Sequence, residues 1–392
     1  MTAAALSASR ASTARWSIAS IFFLNGFVFA AWVPHIPELM DRHSLSTGQL
    51  GSVLLAMAVG AMCALPFAGG IVSRFGSQAV TTVCVVAFCL TLPLLILAPT
   101  ATWAAVAIFF FGALNAALDV AMNAQGAELE IRMQRPIMSS LHGMFSLGGL
   151  AGAGSAGALL EAGMSSIAHV LWVAALSALG ATIAARTLLP TSPRAISIRP
   201  KVVLPSRALL GLGALTFAAL LIEGAMADWS AVYLQRKVGM DAGAAALGFA
   251  AFSLTMAACR FAGDAITHRF GAVSLVRVSA MIALSGLLAA LLIRYPWPAI
   301  IGFALVGIGL ANTIPILFGT AARSRPEDPG AGIAAVATTG YMGFLVGPPL
   351  IGWLADYIGL TLALGTLVVL CAALALGTPV ISHLRQQSVT RP

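Results

Sequence analysis

Charged side chains are scarce in this sequence. Only 9% of its 392 residues are Asp, Glu, Lys or Arg, whereas soluble domains carry about 25%. Hydrophobic residues make up 59% of the chain, and the mean hydropathy is +0.96. The shortage of charge excludes an ordinary soluble domain and predicts an integral membrane protein. Alternating strands of about ten residues are also missing, which favours an all-α membrane protein over a barrel.

The residue patterns of enzymes and metal sites are missing as well. The chain has five cysteines, all in apolar segments, where a thiol behaves as a small hydrophobe. Its six histidines are dispersed, and it contains no His-Glu-x-x-His, Gly-x-Ser-x-Gly or Walker phosphate loop. We therefore expect no enzyme, no catalytic residues, no metal, no cofactor and no direct use of ATP.

Long hydrophobic runs are abundant. A helix needs about 20 apolar residues to cross a bilayer. Twelve such segments are predicted, near 16–38, 46–70, 79–98, 101–125, 137–161, 165–189, 208–234, 243–264, 272–294, 297–320, 332–354 and 358–382. The first is too long for a signal-peptide core and is expected to be retained.

Lys and Arg concentrate in alternate loops, together with both termini. This asymmetry predicts a multi-pass protein of the bacterial inner membrane with both termini in the cytoplasm. The net charge of +8 is explained by orientation in a lipid bilayer, so nucleic acid is not an expected partner.

An internal repeat divides the chain. The proline-rich and basic stretch 190–207 separates residues 1–189 from residues 208–392, and it reads as a cytoplasmic linker. Three patterns recur at an offset of 195 to 197: Arg74-Phe75-Gly76 as Arg269-Phe270-Gly271, Gly148 and Gly152 as Gly343 and Gly347, and Gly112-x-x-Asn115 as Gly309-x-x-Asn312. We predict two pseudo-symmetric six-helix bundles.

Polar residues interrupt two consecutive apolar segments. Asn115, Asp119 and Asn123 recur at i, i+4 and i+8, so they share one helix face. His142 lies at a similar depth in the next segment. An Asp at the centre of a membrane helix costs about 2.5–3.5 kcal/mol on insertion scales, so such residues usually face a protein interior or a watery cavity. A static hydrogen bond between helices is the alternative to a functional site.

The repeat separates architectural from functional residues. Asn115 is matched by Asn312, but Asp119 aligns with Ile316. His142 and Glu223 likewise have no titratable counterpart in the other half. Unmatched titratable groups suit proton binding and release, because burial and neighbouring charges shift their pKa values. Asp119, Glu223 and His142 are therefore the candidate proton-coupling residues.

Twelve helices, the 6+6 repeat, the basic central loop and the Arg-Phe-Gly turns together resemble the major facilitator superfamily. That family carries Gly-x-x-x-Asp-Arg-x-Gly-Arg after its second helix. Gly69, Arg74 and Gly76 match this signature, while Ser73 and Ser77 replace its acid and its second arginine. The stretches 140–149 and 223–230 are similar to the bacterial YbjJ-like branch, which is related to fucose–proton symporters.

The resemblance implies a proton-coupled secondary transporter, expected as a monomer, that alternates access to a small-molecule substrate. The candidate substrate-binding residues are Asn25, Trp32, Asn115, Asn123, Asn312 and Tyr341. The candidate gating residues are Arg74, Asp228, Arg260, Asp264 and Arg269. Arg260 and Asp264 stand four residues apart, a spacing that suits an ion pair at a helix end.

The expected substrate is a neutral polar solute such as a sugar, since asparagines outnumber cations in the predicted cavity. Two alternatives stay open at the level of sequence. One is proton-driven efflux of amphipathic or cationic compounds, and the other is a transport-inactive membrane sensor or scaffold.

Overall fold

A computed structural model of the protein describes residues 8–133, 137–190, 207–324 and 329–381. All regular secondary structure within these ranges is helical, which confirms the all-α prediction. The chain divides into two compact units. Unit 1 comprises Met1–His43 and Val53–Pro200, and unit 2 comprises Ser44–Ser52 and Lys201–Pro392. Most of the predicted linker 190–207 lies outside the described residues.

The described residues of unit 1 form seven α-helices, the third of which begins in the segment assigned to unit 2. They are α1 (Ala8–Trp32), α2 (Ile36–Arg42), α3 (Thr47–Phe75), α4 (Ser77–Leu97), α5 (Ala101–Met133), α6 (Met138–Glu161) and α7 (Ser166–Ala185). A short 3-10 turn, Val33–His35, joins α1 to α2. Helix α1 packs closely against α6, and α4 packs against α5 and α7.

The helices of unit 2 are α8 (Arg207–Tyr233), α9 (Ala242–Phe261), α10 (Gly263–Phe270), α11 (Ala272–Leu292), α12 (Pro296–Leu310), α13 (Thr313–Ser324), α14 (Pro329–Ile358) and α15 (Leu360–Gly377). A π-helical turn, Leu234–Val238, follows α8. Helix α8 packs against α14, and α11 packs against α12 and α15.

Eleven helical spans within the described residues are long and apolar enough to cross a membrane. They are 20 to 33 residues long and correspond to eleven of the twelve predicted segments. The remaining predicted segment, 332–354, lies inside α14, a helix of 30 residues. The chain is therefore folded as a multi-pass membrane protein, as its hydropathy predicts.

The Arg-Phe-Gly repeat marks two turns of the same geometry. Gly76 separates α3 from α4 with φ of +83°, and Gly271 separates α10 from α11 with φ of +75°. Residues with a Cβ rarely adopt such positive φ values, whereas glycine does so without strain. The sequence repeat therefore corresponds to a repeated structural element.

Glycines also allow close helix contacts in each unit. A Cβ added at Gly148 of α6 would collide with the backbone carbonyl of Phe23 in α1. A Cβ at Gly343 of α14 would collide with the carbonyl of Phe217 in α8. The two glycines thus play the same part in the two units, and small residues that let backbones approach are typical of membrane helix interfaces.

This contact predicts the effect of one methyl group. We expect Gly148→Ala to lower stability by about 1–3 kcal/mol, because the new Cβ must push α1 away from α6. Gly154→Ala in the same helix is the matched control, since a Cβ there has nothing within 4 Å. Thermal unfolding of the two purified variants in detergent checks this, and equal midpoints would contradict it.

Candidate functional site

Buried amide groups of α1 and α5 form the core of the candidate site in unit 1. Asn25 is 1% exposed, and its Nδ2 lies 3.7 Å from Sδ of Met122. One helical turn beyond, Phe29 of α1 stacks on Phe111 of α5, with ring centroids 6.4 Å apart. Asn115 follows Phe111 by one turn. Because residues four apart share a helix face, Asn25 and Asn115 both lie along the contact between α1 and α5.

Three polar atoms of this region have no hydrogen-bond partner among the described residues. They are Oδ1 of Asn25, Oδ1 of Asn115 and Nε1 of Trp32, and all three are buried. A buried polar atom that lacks a partner costs about 1–3 kcal/mol. The three atoms comprise two acceptors and one donor, and the assignment of their residues to substrate binding stays a prediction.

The carboxylate of Asp119 is bonded to an amide and to no cation. Nδ2 of Asn123 donates to Oδ1 of Asp119 at 3.0 Å and to its backbone carbonyl at 2.8 Å. Within the described residues, neither lysine, arginine nor histidine pairs with Asp119. The spacing of four residues thus brings Asp119 and Asn123 together, as the helix face predicts.

His142 contacts an aromatic ring of α1. Its ring lies edge-on to Phe22, with centroids 5.3 Å apart and planes at 77°. The sequence suggests that His142 and Asp119 meet, but among the described residues it is Asn123 that donates to the Asp119 carboxylate. Any help that His142 gives to Asp119 is therefore not a direct hydrogen bond in this conformation.

Two of the candidate residues in unit 2 form an ion pair. Nη2 of Arg260 in α9 lies 3.4 Å from Oε1 of Glu223 in α8, with side chains 16% and 20% exposed. The predicted partner of Arg260 is Asp264, whose side chain lies outside the described part of the chain. Glu223 and Arg260 are thus brought together across two helices, which their separation of 37 residues does not reveal.

The helix predicted at 297–320 is interrupted between α12 and α13. Pro315 has no amide hydrogen, so it cannot bond the carbonyl of Ala311 four residues earlier. Nε of Arg260 donates to that freed carbonyl at 3.4 Å. Nδ2 of Asn312 donates to the carbonyl of Cys259 at 3.2 Å. The break therefore gives Arg260 and Asn312 roles in holding α9 against α12 and α13.

A second group of polar residues without partners lies on α8. Within the described residues, Asp228 receives no hydrogen bond, and neither Nε1 of Trp229 nor Oγ of Ser230 has a partner. Trp229 is 0% and Ser230 1% exposed. Among the described residues, no Lys, Arg or His forms an ion pair with Asp228, which is a predicted gating residue.

The remaining candidates are more open. Arg74 and Arg269 each lie over the ring of the next residue, 5.4 Å from the centroid of Phe75 and 5.6 Å from that of Phe270. Each contact is a cation–π interaction within the repeated turn. Tyr341 is 41% exposed and its ring stacks on a neighbouring phenylalanine of α14.

Two polar residues of α5 that the sequence does not single out bond to residues at or near the ends of neighbouring helices. Gln125 is 1% exposed and donates to Oγ of Ser77 and to the carbonyl of Leu189, both at 2.9 Å. Glu130 accepts hydrogen bonds from the first backbone amides of α6, as a carboxylate at a helix N-terminus commonly does. Both roles are structural.

Two histidines that are far apart in the sequence lie next to each other in the structure. His35 and His169 are 134 residues apart in sequence, yet Nε2 of His35 lies 2.9 Å from Nδ1 of His169. No sequence pattern signals this pair, because it depends on how α7 packs beside the turn after α1. Within the described residues, no group of three or more His, Cys, Asp or Glu side chains is placed to hold a metal ion.

The sequence matches a known family over nearly its whole length. The profile of the Major Facilitator Superfamily matches residues 18–324 and 212–388. An uncharacterized MFS-type transporter of Yersinia pestis is 35% identical, over 90% of this chain and 92% of the relative. Membrane protein MosC of Rhizobium meliloti is also 35% identical, over 89% of this chain and 85% of the relative.

Solved structures share the fold. A bacterial homolog of the human lysosomal transporter Spinster, inward-facing and unoccupied, has a TM-score of 0.76 at 15% identity, covering 98% of this chain and 99% of that one. A D-xylose–proton symporter has a TM-score of 0.74 at 13% identity, covering 94% of this chain and 97% of that one. The likeness to the YbjJ-like branch and to fucose–proton symporters stays a prediction. The chain belongs to the Major Facilitator Superfamily and is a multi-pass membrane transporter of that type.

Proposed function

We propose that the protein is a proton-coupled transporter of a small, neutral, polar solute, working by alternating access in a bacterial inner membrane with both termini in the cytoplasm. The observation that carries this proposal is the group of polar atoms on Asn25 and Trp32 of α1 and on Asn115 of α5 that have no partner among the described residues. Helix α5 also carries Asp119. A substrate that satisfies these atoms gains binding energy that an apolar molecule cannot.

A neutral substrate fits the charges of both units. In unit 1 the polar atoms belong to amides and an indole, which donate or accept without net charge. In unit 2 the positive charge of Arg260 is compensated by Glu223. A phosphate or other polyanion would have to displace that carboxylate. Asn123, Asn312 and Tyr341 remain further proposed contacts for the substrate.

Asp119 is the proposed site of proton binding in unit 1. A carboxylate away from water and without a cation gains from binding a proton. Glu223 is the proposed site in unit 2, where a proton on its carboxyl would release Arg260 and change how α8 holds α9. His142 is proposed to assist proton transfer at Asp119 through water or a change of conformation.

The proposed gates are Arg74, Asp228, Arg260, Asp264 and Arg269, which carry charge near helix ends. Arg74 and Arg269 lie at equivalent positions of the repeated turn, which suits a transport cycle in which the two units move in equivalent ways. Likeness in fold to a D-xylose–proton symporter and to a nucleoside transporter is compatible with a polar substrate, although at 13% identity it supports the fold alone.

Proton-driven efflux of cationic compounds is the second candidate. It is favoured by Asp228, a carboxylate that no described cation or hydrogen-bond donor accompanies. A lipophilic cation would supply the missing positive charge. The two functions differ in the ligand that the resting protein binds.

Thermal stabilisation of the purified protein separates the two candidates. We expect a neutral polar compound, such as D-xylose or uridine, to raise the unfolding midpoint at pH 6 and pH 8. A ligand at 100 times its Kd stabilises by about 2.7 kcal/mol. Asn115→Ala should remove the shift. Stabilisation by tetraphenylphosphonium alone, weaker at pH 6 than at pH 8, would overturn the proposal in favour of efflux.

A further inference from the structure

Two buried histidines meet in unit 1 outside the candidate site. His35 ends the 3-10 turn after α1, and His169 lies in the first turn of α7. The two residues are 1% and 0% exposed, and Nε2 of His35 is 2.9 Å from Nδ1 of His169. Two ring nitrogens at this distance share one hydrogen, so one ring donates and the other accepts.

A carboxylate completes a row of hydrogen bonds. Nδ1 of His35 lies 3.4 Å from Oε2 of Glu38, and the other oxygen of Glu38 lies 3.0 Å from Nη2 of Arg42. Because a carboxylate only accepts, Nδ1 of His35 carries a hydrogen. At the far end of the row, Nε2 of His169 is buried and has no partner among the described residues.

This row of hydrogen bonds can take up one additional proton. With both rings neutral, Nδ1 of His169 donates to Nε2 of His35, and Nε2 of His169 keeps a free lone pair. A proton binding there forms a new N–H bond. The hydrogen on Nδ1 of His169 then passes to Nε2 of His35, which leaves the positive charge beside Glu38. A second proton would place two like charges in hydrogen-bonded rings and is disfavoured.

We propose that His35 and His169 form a proton-binding site, separate from Asp119 and Glu223, that makes the packing of α2 beside α7 depend on pH. The pair joins the turn before α2 to the first turn of α7. Once His35 is charged, its hydrogen bonds to Glu38 of α2 and to Nδ1 of His169 in α7 are both charge-assisted, and such bonds are stronger than those from a neutral ring. Low pH therefore tightens the contact.

The site faces the outside of the cell on the membrane orientation proposed above, and in that respect it rests on the proposed function. A change in external pH would then affect the end of α1 through the pair. The preceding turns of α1 carry candidate substrate residues. The other charged or titratable groups on the helices that carry or contact the pair are Asp41 and Arg42 on α2, His142 and Glu161 on α6, Cys84 and Cys89 on α4, and Arg10 and Arg15 at the start of α1.

Histidine NMR tests the proton directly. In protein labelled with 15N-histidine and purified in detergent with a chelator present, we expect the two rings to take up one proton together between about pH 8 and pH 5. His35→Gln and His169→Gln should each abolish the joint uptake. His43→Gln, the same change eight residues from His35, is the matched control and should leave it intact.

Hydrogen exchange tests the consequence. Corrected for intrinsic rates, exchange of peptides covering 36–43 and 163–170 should be about fivefold slower at pH 5.5 than at pH 7.5 in the wild type, and equal in either Gln variant. Both rings staying neutral down to pH 5 would overturn the proposal, and the wild-type titration alone decides this if a variant does not fold. Neither readout uses transport, so a failure here leaves proton-coupled flux untouched, and the reverse also holds.

Discussion

Asp119→Asn should abolish solute flux driven by a pH gradient, by about 100-fold or more, while the variant still folds and binds. The amide keeps the size of the side chain and its contact with Asn123, but it can no longer exchange a proton at neutral pH. Stabilisation by the solute should persist, since Asn25, Trp32 and Asn115 are unchanged. Flux into proteoliposomes and thermal unfolding of the same preparation measure the two effects.

The matched control is Asp241→Asn. Asp241 is exposed at the start of α9, and its side chain caps no helix amide. We expect normal flux from this variant. If Asp119→Asn retained wild-type flux under a pH gradient, Asp119 would not be the coupling residue, whatever else the solute contacts.

Neutralising Glu223 or Arg260 alone should lower the free energy of unfolding more than neutralising both residues together. Removing one member of a buried ion pair costs about 3–5 kcal/mol, because the other charge is left without a partner. These side chains keep 20% and 16% exposure, so we expect the lower end of that range. Glu223→Gln and Arg260→Gln should each lose most transport, and the double variant should regain stability.

A double-mutant cycle on thermal unfolding measures this coupling. The pair Glu128 and Arg132 serves as the control, with 2.8 Å between charges and similar exposure. It is an i, i+4 pair within one helix, for which a coupling energy of about 0.3–0.5 kcal/mol is expected. Additive effects at Glu223 and Arg260 would show that the two charges do not depend on each other.

The sequence predicts the fold well because the bilayer restricts it. Backbone groups in hydrocarbon must be satisfied within a helix, so a long apolar run implies a spanning helix. The repeated glycines add detail, since Gly76 and Gly271 occupy turns that few other residues tolerate. Hydropathy and glycine spacing therefore predict most helices and the repeat between the halves.

The site was predictable only where its residues share one helix. Asp119 and Asn123 meet because four residues make one turn, whereas Glu223 and Arg260 meet through the packing of α8 against α9. The break between α12 and α13 was not predicted, although Pro315, which removes a hydrogen bond to Ala311, is a sequence signal for it. Which side chain fills the gap depends on tertiary structure.

The most direct test of proton coupling is the pH inside proteoliposomes when solute is added outside, with no pH gradient imposed. The probe is the neutral compound that stabilises the protein most strongly. The account predicts that solute entry carries protons inward and acidifies the lumen, and that Asp119→Asn vesicles show no change. Solute entry with an unchanged lumenal pH in wild-type vesicles would contradict it.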